Sequence, residues 1–171
     1  MKGYVHVYTG DGKGKTTAAL GLALRAAGAG LKVFFTQFVK GQEYSEINAL
    51  KRFHDLIVVK QYGRGCFIVN KPEEADVEAA RKGFEDLTRV VISGDYPVVI
   101  LDEINIAIHY NLLSVDDILT LIKTRPEHVE MIITGRNADA KIIDAADLVT
   151  EMKEIKHYFK EGVAARVGIE K

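Results

Sequence analysis

Eight residues near the start of the chain, Gly10-Asp11-Gly12-Lys13-Gly14-Lys15-Thr16-Thr17, constrain its fold more than any other stretch. They follow a short apolar run, Tyr4-Val5-His6-Val7-Tyr8, and open a segment rich in alanine and leucine. Closely spaced glycines let successive backbone N–H groups point at one anion, and a following helix adds the positive end of its dipole. Strand, glycine-rich turn and helix in that order make a phosphate-binding loop. In the pattern G-x-x-x-x-G-K-[ST] a lysine neutralises the outer phosphates and a hydroxyl holds magnesium, roles that fall here to Lys15 and Thr16. The outermost glycine of that pattern is replaced by Thr9, and Gly10, Gly12 and Lys13 are additional. The bland alternative is a strand-to-helix turn that binds nothing.

A chain of 171 residues suits one domain with a good core, so residues 1–171 are expected to form a single unit. The formal charge of -1, with acids and bases interspersed, favours neither nucleic acid nor an anionic membrane as a partner. The one cysteine, Cys66, excludes an internal disulfide framework and a cysteine-based metal site, which fits a cytoplasmic protein. The sequence enters its first strand within a few residues, and no apolar run approaches the length of a membrane span.

Apolar runs alternate with helical patterns along the chain. A helix is expected over about 15–27, then a strand at Val33-Phe34-Phe35-Thr36-Gln37-Phe38, a short helix around Ile47, Leu50 and Phe53, and a strand at Leu56-Ile57-Val58-Val59. Residues 63–72 contain Gly63, Gly65, Asn70 and Pro72 and read as a loop of functional length. Val77, Ala80, Phe84, Leu87 and Val91 recur at helical spacing.

Val98-Val99-Ile100-Leu101 lacks polar alternation, as a central parallel strand should, and ends in Asp102-Glu103. Open α/β sheets collect ligands at the carboxyl ends of their strands, where an acid can meet the magnesium held by the loop hydroxyl. Either carboxylate could instead cap a following helix. Ser114 and Asp117 form a capping box before another helix, and 129–134 reads as a strand ending in Thr134-Gly135-Arg136. Arg136 is a candidate phosphate ligand or a plain surface arginine. The stretches 148–152 and 163–167 are expected to form a closing pair of strands. Of the histidines, His6 is expected in the core, and His54, His109 and His128 at the surface or at helix ends.

The ordered set of motifs resembles the ATP:corrinoid adenosyltransferases of the CobA type. The matching stretches are Thr9-Gly10-Asp11-Gly12-Lys13-Gly14-Lys15-Thr16-Thr17-Ala18-Ala19, Gln37-Phe38-Val39-Lys40-Gly41, Leu101-Asp102-Glu103-Ile104-Asn105, Arg125-Pro126 and Thr134-Gly135-Arg136. Ala146-Asp147-Leu148-Val149-Thr150-Glu151-Met152, Lys156-His157, Gly162 and Gly168-Ile169-Glu170 extend the match to the end of the chain. The resemblance implies a RecA-like P-loop NTPase fold of the α/β class, a mostly parallel sheet with helices on both faces. It implies transfer of the 5′-deoxyadenosyl group of ATP to the cobalt(I) of a corrinoid, with release of triphosphate.

By the same resemblance, Thr9, Gly10, Asp11, Gly12, Lys13, Gly14, Lys15, Thr16, Thr17 and Arg136 bind ATP, with Lys13, Lys15 and Thr16 acting in catalysis. Thr16, Asp102 and Glu103 share magnesium or manganese. Many members carry a G-x-G-F-T-W stretch whose aromatic residues lie against the corrin. The corresponding run here is Gly63-Arg64-Gly65-Cys66-Phe67-Ile68. Phe67, Ile68 and Asn105 are the expected corrinoid contacts. The resemblance also implies a homodimer and a flavoprotein-type reductase that supplies cobalt(I). Two other readings remain open at this point: a small P-loop ATPase or kinase cleaving the terminal phosphate, and a nucleotide-gated corrinoid carrier without chemistry.

Overall fold

Six parallel strands form one sheet in the order β3-β2-β4-β5-β1-β6, in a computed structural model that describes residues 2–42, 44–63 and 72–170. They are β1 (Val5–Thr9), β2 (Val33–Phe38), β3 (Ile57–Tyr62), β4 (Val98–Asp102), β5 (Glu130–Thr134) and β6 (Leu148–Glu151). Among the described residues, six α-helices accompany them: α1 (Lys15–Gly28), α2 (Ser45–Leu50), α3 (Glu74–Ser93), α4 (Ile104–His109), α5 (Val115–Thr124) and α6 (Ala140–Ala145).

The period-two geometry of a strand divides the apolar residues between two cores. Val5, Val7, Phe34, Phe38, Val99, Leu101, Met131 and Ile133 face α3, α4, α5 and α6. Val33, Phe35, Val98, Ile100 and Ile132 face α1 and α2. The sheet is therefore covered on both sides, which is why β2 and β4 are buried at every position and Val98-Val99-Ile100-Leu101 of β4 reads as a continuous hydrophobic run.

Ala19, Ala23, Ala26 and Ala27 supply the buried stripe of α1, and these small side chains bring the helix close to the sheet. Close approach recurs on the other face at Gly83 of α3. A Cβ there would lie 2.3 Å from Cγ and 2.6 Å from Cβ of Tyr62, so glycine is what lets α3 pack against the end of β3.

Most of the expected elements appear within a few residues of their positions, and the Ser114–Asp117 capping box is present at the start of α5. The closing pair of strands is not. β6 pairs in parallel with β1, whereas 163–167 forms no strand. A short 3-10 helix, Tyr158–Glu161, and a turn at 167–170 fold that segment on itself, with Glu170 N donating to Arg166 O and Arg166 N to the Glu170 carboxylate. His6 is partly exposed, its Nε2 2.7 Å from Glu130 Oε1. The expected loop at 63–72 falls largely on residues 64–71, outside the described residues.

Alanine normally gains about 1 kcal/mol over glycine inside a helix. At position 83 overpacking against Tyr62 should outweigh that gain, since added core volume costs about 1–3 kcal/mol. Gly83→Ala is expected to lower the urea midpoint; an unchanged or raised midpoint would contradict the packing described.

Candidate active site

The loop between β1 and α1 lies at the carboxyl end of the sheet, where α/β proteins collect ligands. Gly10 and Gly14 have φ values of 91° and 123°, a region that strains any residue with a Cβ. Space imposes the same choice. A Cβ on Gly10 would lie 2.5 Å, and one on Gly12 2.7 Å, from the carbonyl oxygen of Met152. The chain beyond β6 thus forms a wall against the loop. Met152 N donates to Thr9 O at 2.8 Å and Gly12 N to Met152 O at 2.6 Å. The Gly12 amide, expected to face an anion, is committed to that wall.

Lys15 is buried and its Nζ donates to Gly10 O at 2.6 Å and Gly12 O at 2.7 Å, so the ammonium spans the loop that it opens from. Burial lowers its pKa, Arg136 lowers it further, and Glu103, Asp11 and Asp102 act in the opposite sense. The group is a desolvated cation at the start of a helix whose first turn carries no acid. An anion placed there meets both the charge and the helix dipole.

Asp102, at the end of β4, is fully buried and accepts three hydrogen bonds. Thr16 Oγ1 donates to its Oδ1 at 2.9 Å, Thr134 Oγ1 to the same oxygen at 2.6 Å, and Gln37 Nε2 to Oδ2 at 2.9 Å. The structure therefore brings the loop hydroxyl and the strand-end carboxylate together. Glu103 turns elsewhere. Its backbone is left-handed, φ 61°, with its N–H on Thr134 Oγ1 at 3.0 Å and its carboxylate 3.1 Å from Lys40 Nζ. Burial alone would depress the Lys40 pKa, but Asp102 and Glu103 outweigh it and the net displacement is upward. Lys40 stays a cation beside the two acids.

The other expected residues fall into separate places. Thr9 is buried and its Oγ1 accepts from Ala138 N at 3.3 Å, which joins the loop to the turn after β5. Asp11, Thr17 and Arg136 are exposed around the loop. Asn105 is fully buried beneath Gly135, whose carbonyl accepts from its Nδ2 at 3.2 Å, so it offers no surface to a corrinoid in this conformation. Phe67 and Ile68 lie outside the described residues.

Lys13 faces the C-terminal segment rather than the loop centre. Its ammonium contacts Glu170 Oε1 at 2.9 Å, Ile169 O at 3.0 Å and Tyr158 Oη at 3.4 Å. Glu170 also binds Arg166 and Tyr158, and the Arg166 guanidinium lies 5.0 Å from the Tyr158 ring centroid. Hydrogen bonds from Arg166, Tyr158 and Lys13 hold the Glu170 carboxyl well below the ordinary carboxylate range.

Sequence reasoning assigned no role to Gln37, Thr134, Gln61 or the Glu170 cluster. A signal existed for the first three. Each is polar, lies in an otherwise largely apolar strand, and sits near the carboxyl end where the site forms.

A protein-family model described as ATP:corrinoid adenosyltransferase BtuR/CobO/CobP matches residues 1–170. The chain is similar to a corrinoid adenosyltransferase of Pseudomonas aeruginosa, 35% identical over 99% of this chain and 84% of that protein. It is also 34% identical to a corrinoid adenosyltransferase of Escherichia coli K12, and 35% identical to the corrinoid adenosyltransferase CobA of Salmonella typhimurium. Each of those two matches covers 99% of this chain and 86% of the relative.

Because folding depresses the Glu170 pKa, its contribution to docking of the C-terminal segment is present above the unfolded carboxylate value and lost only as pH falls through the lower folded value. Hydrogen exchange at Arg166 and Glu170, corrected for intrinsic rates, should therefore be equally protected at pH 7 and pH 5, and faster in Glu170→Gln at both. Loss of protection between pH 7 and 5, or an unchanged variant, would contradict this arrangement.

Proposed function

The chain belongs to the ATP:corrinoid adenosyltransferase family, and from that premise we propose how its residues transfer the adenosyl group of ATP to a corrinoid. The observation that carries the reading is the meeting of Lys15, Thr16 and Asp102 at the carboxyl ends of β1 and β4. In the transfer, the bond between the ribose 5′-carbon and the triphosphate oxygen breaks and its electron pair leaves with triphosphate. Cobalt(I) supplies the pair that forms the cobalt–carbon bond and ends as cobalt(III). The nucleophile belongs to the substrate, so the protein contributes position and charge.

Lys15 and the first turn of α1 hold the triphosphate, where negative charge grows as the bond breaks. Thr9, Gly10, Asp11, Gly12, Gly14 and Thr17 shape the cradle, and Arg136 closes its outer side. Lys13 joins it by exchanging the Glu170 carboxylate for a phosphate oxygen.

The Thr16 hydroxyl and Asp102 carboxylate are hard oxygen donors 2.9 Å apart, a set suited to magnesium or manganese. With Glu103 they are proposed to hold that ion, which when bound offsets charge on the triphosphate. The Lys40 ammonium keeps the neighbouring acids from standing uncompensated. Phe67 and Ile68 are proposed to lie against the corrin, and Asn105 to shape that side through Gly135. Cleavage of the terminal phosphate, the rival reading, is not favoured by the family.

The exposed edge strand β6, with Leu148 and Val149 at its surface and Ile155 and Phe159 beyond, supports a homodimer formed through that edge. Because cobalt has to arrive as cobalt(I), we place the enzyme in the reducing cytoplasm with a flavoprotein-type reductase as partner. Among the described residues no helix is long and apolar enough to cross a membrane.

Lys15→Ala should lower kcat by about 10²–10³-fold, the usual loss for removing one group that stabilises developing charge, and should raise KM for ATP. Phe67→Ala should raise KM for the corrinoid and leave KM for ATP unchanged. Anaerobic steady-state kinetics with chemically reduced corrinoid measure both, and wild-type constants in either variant would contradict its assigned role.

A further inference from the structure

Asp102, Gln37 and Gln61 stand side by side in register across β4, β2 and β3. Gln37 is fully buried and lies behind the carboxylate, away from the loop hydroxyl. Its amide orientation is determined by its neighbours. A carboxylate only accepts, so Nε2 of Gln37 faces Asp102 Oδ2 at 2.9 Å and its Oε1 is left to accept from Gln61 Nε2 at 2.9 Å. The Gln61 amide also donates to Gln42 O at 3.0 Å. The result is a directional chain running from the end of β3, through β2, to the carboxylate that meets Thr16.

We propose that Gln37 is a positioning residue for Asp102, and that Gln61 extends this support to the end of β3. The proposal rests on the nucleotide and metal reading given above. The reason is the one that governs supports behind metal ligands. A carboxylate whose far oxygen is fixed cannot rotate freely, so its near oxygen keeps one direction toward the cation. Thr134, on the same oxygen as Thr16, limits tilt in the other direction. Gln37 is fully buried with its amide engaged by Asp102 and Gln61, so it acts through Asp102.

Its substitution should therefore affect the part of ATP affinity that depends on the divalent ion and leave the remainder intact. Gln37→Met keeps the side-chain volume and removes the hydrogen bonds, and Gln61→Met removes one support further out. ATP affinity of wild type, both variants, Asp102→Asn and the double variants is measured by calorimetry with magnesium and with EDTA. Folding is checked by circular dichroism.

With magnesium, Gln37→Met should weaken ATP by about 10-fold or more, the scale seen when a support behind a metal ligand is lost. Gln61→Met should weaken it less, with little further loss in Gln37→Met. With EDTA all affinities should stay within about twofold, and Gln37→Met should add nothing in the Asp102→Asn background. Equal losses with magnesium and EDTA, or additivity with Asp102→Asn, would show a general structural role and overturn the proposal. If Gln37→Met does not fold, Gln61→Met alone decides, since it must lose magnesium-dependent affinity and keep the rest. A wild-type protein that fails to bind ATP with magnesium would overturn the underlying nucleotide reading as well, whereas normal wild-type binding with unchanged variants would overturn this inference alone.

Discussion

A single buried carboxylate ties the catalytic end of the molecule together. Asp102 receives hydrogen bonds from α1 through Thr16, from β2 through Gln37 and from β5 through Thr134. Removing one partner of such a set leaves buried donors unsatisfied, at about 1–3 kcal/mol each, so the arrangement holds only if all of these elements are in register. The sheet supplies that register, since Gln37 lies opposite Asp102 in the β2–β4 pairing. Fold and site are thus one constraint.

The glycine-rich loop depends on a second contact, the chain that continues β6. Met152 both bonds the loop and occupies the space where a Cβ on Gly10 or Gly12 would fall. The glycines therefore serve packing as well as backbone freedom. The C-terminal segment completes the enclosure by holding Lys13. Two lysines of one loop thus have different surroundings: Lys15 is buried on loop carbonyls, and Lys13 is at the surface on a carboxylate.

Much of this was legible in the sequence because the signals are local. The apolar run of β4 announced a strand covered on both faces, and the loop announced the start of α1. That Thr16 would meet an acid of the pair Asp102-Glu103 was legible from the chemistry of a nucleotide site, whereas the choice of Asp102, 86 residues away, came only with the structure. Contacts without a local pattern were not legible. Nothing in 163–167 distinguishes a strand from a segment folded back by Arg166 and Glu170, because that outcome depends on long-range partners such as Lys13. Asn105 was expected at the corrinoid by resemblance alone, and its burial beneath Gly135, after the left-handed turn at Glu103, had no local signal. The role of Gln37 emerged only once strand order placed it between Asp102 and Gln61.

The central claim is that the loop holds triphosphate as a leaving group. The direct measurement is the product ratio when purified protein is incubated anaerobically with ATP, magnesium and chemically reduced cob(I)alamin. One triphosphate released for each adenosylcobalamin formed is the expected result. ADP and phosphate with an unchanged corrinoid spectrum would contradict the account.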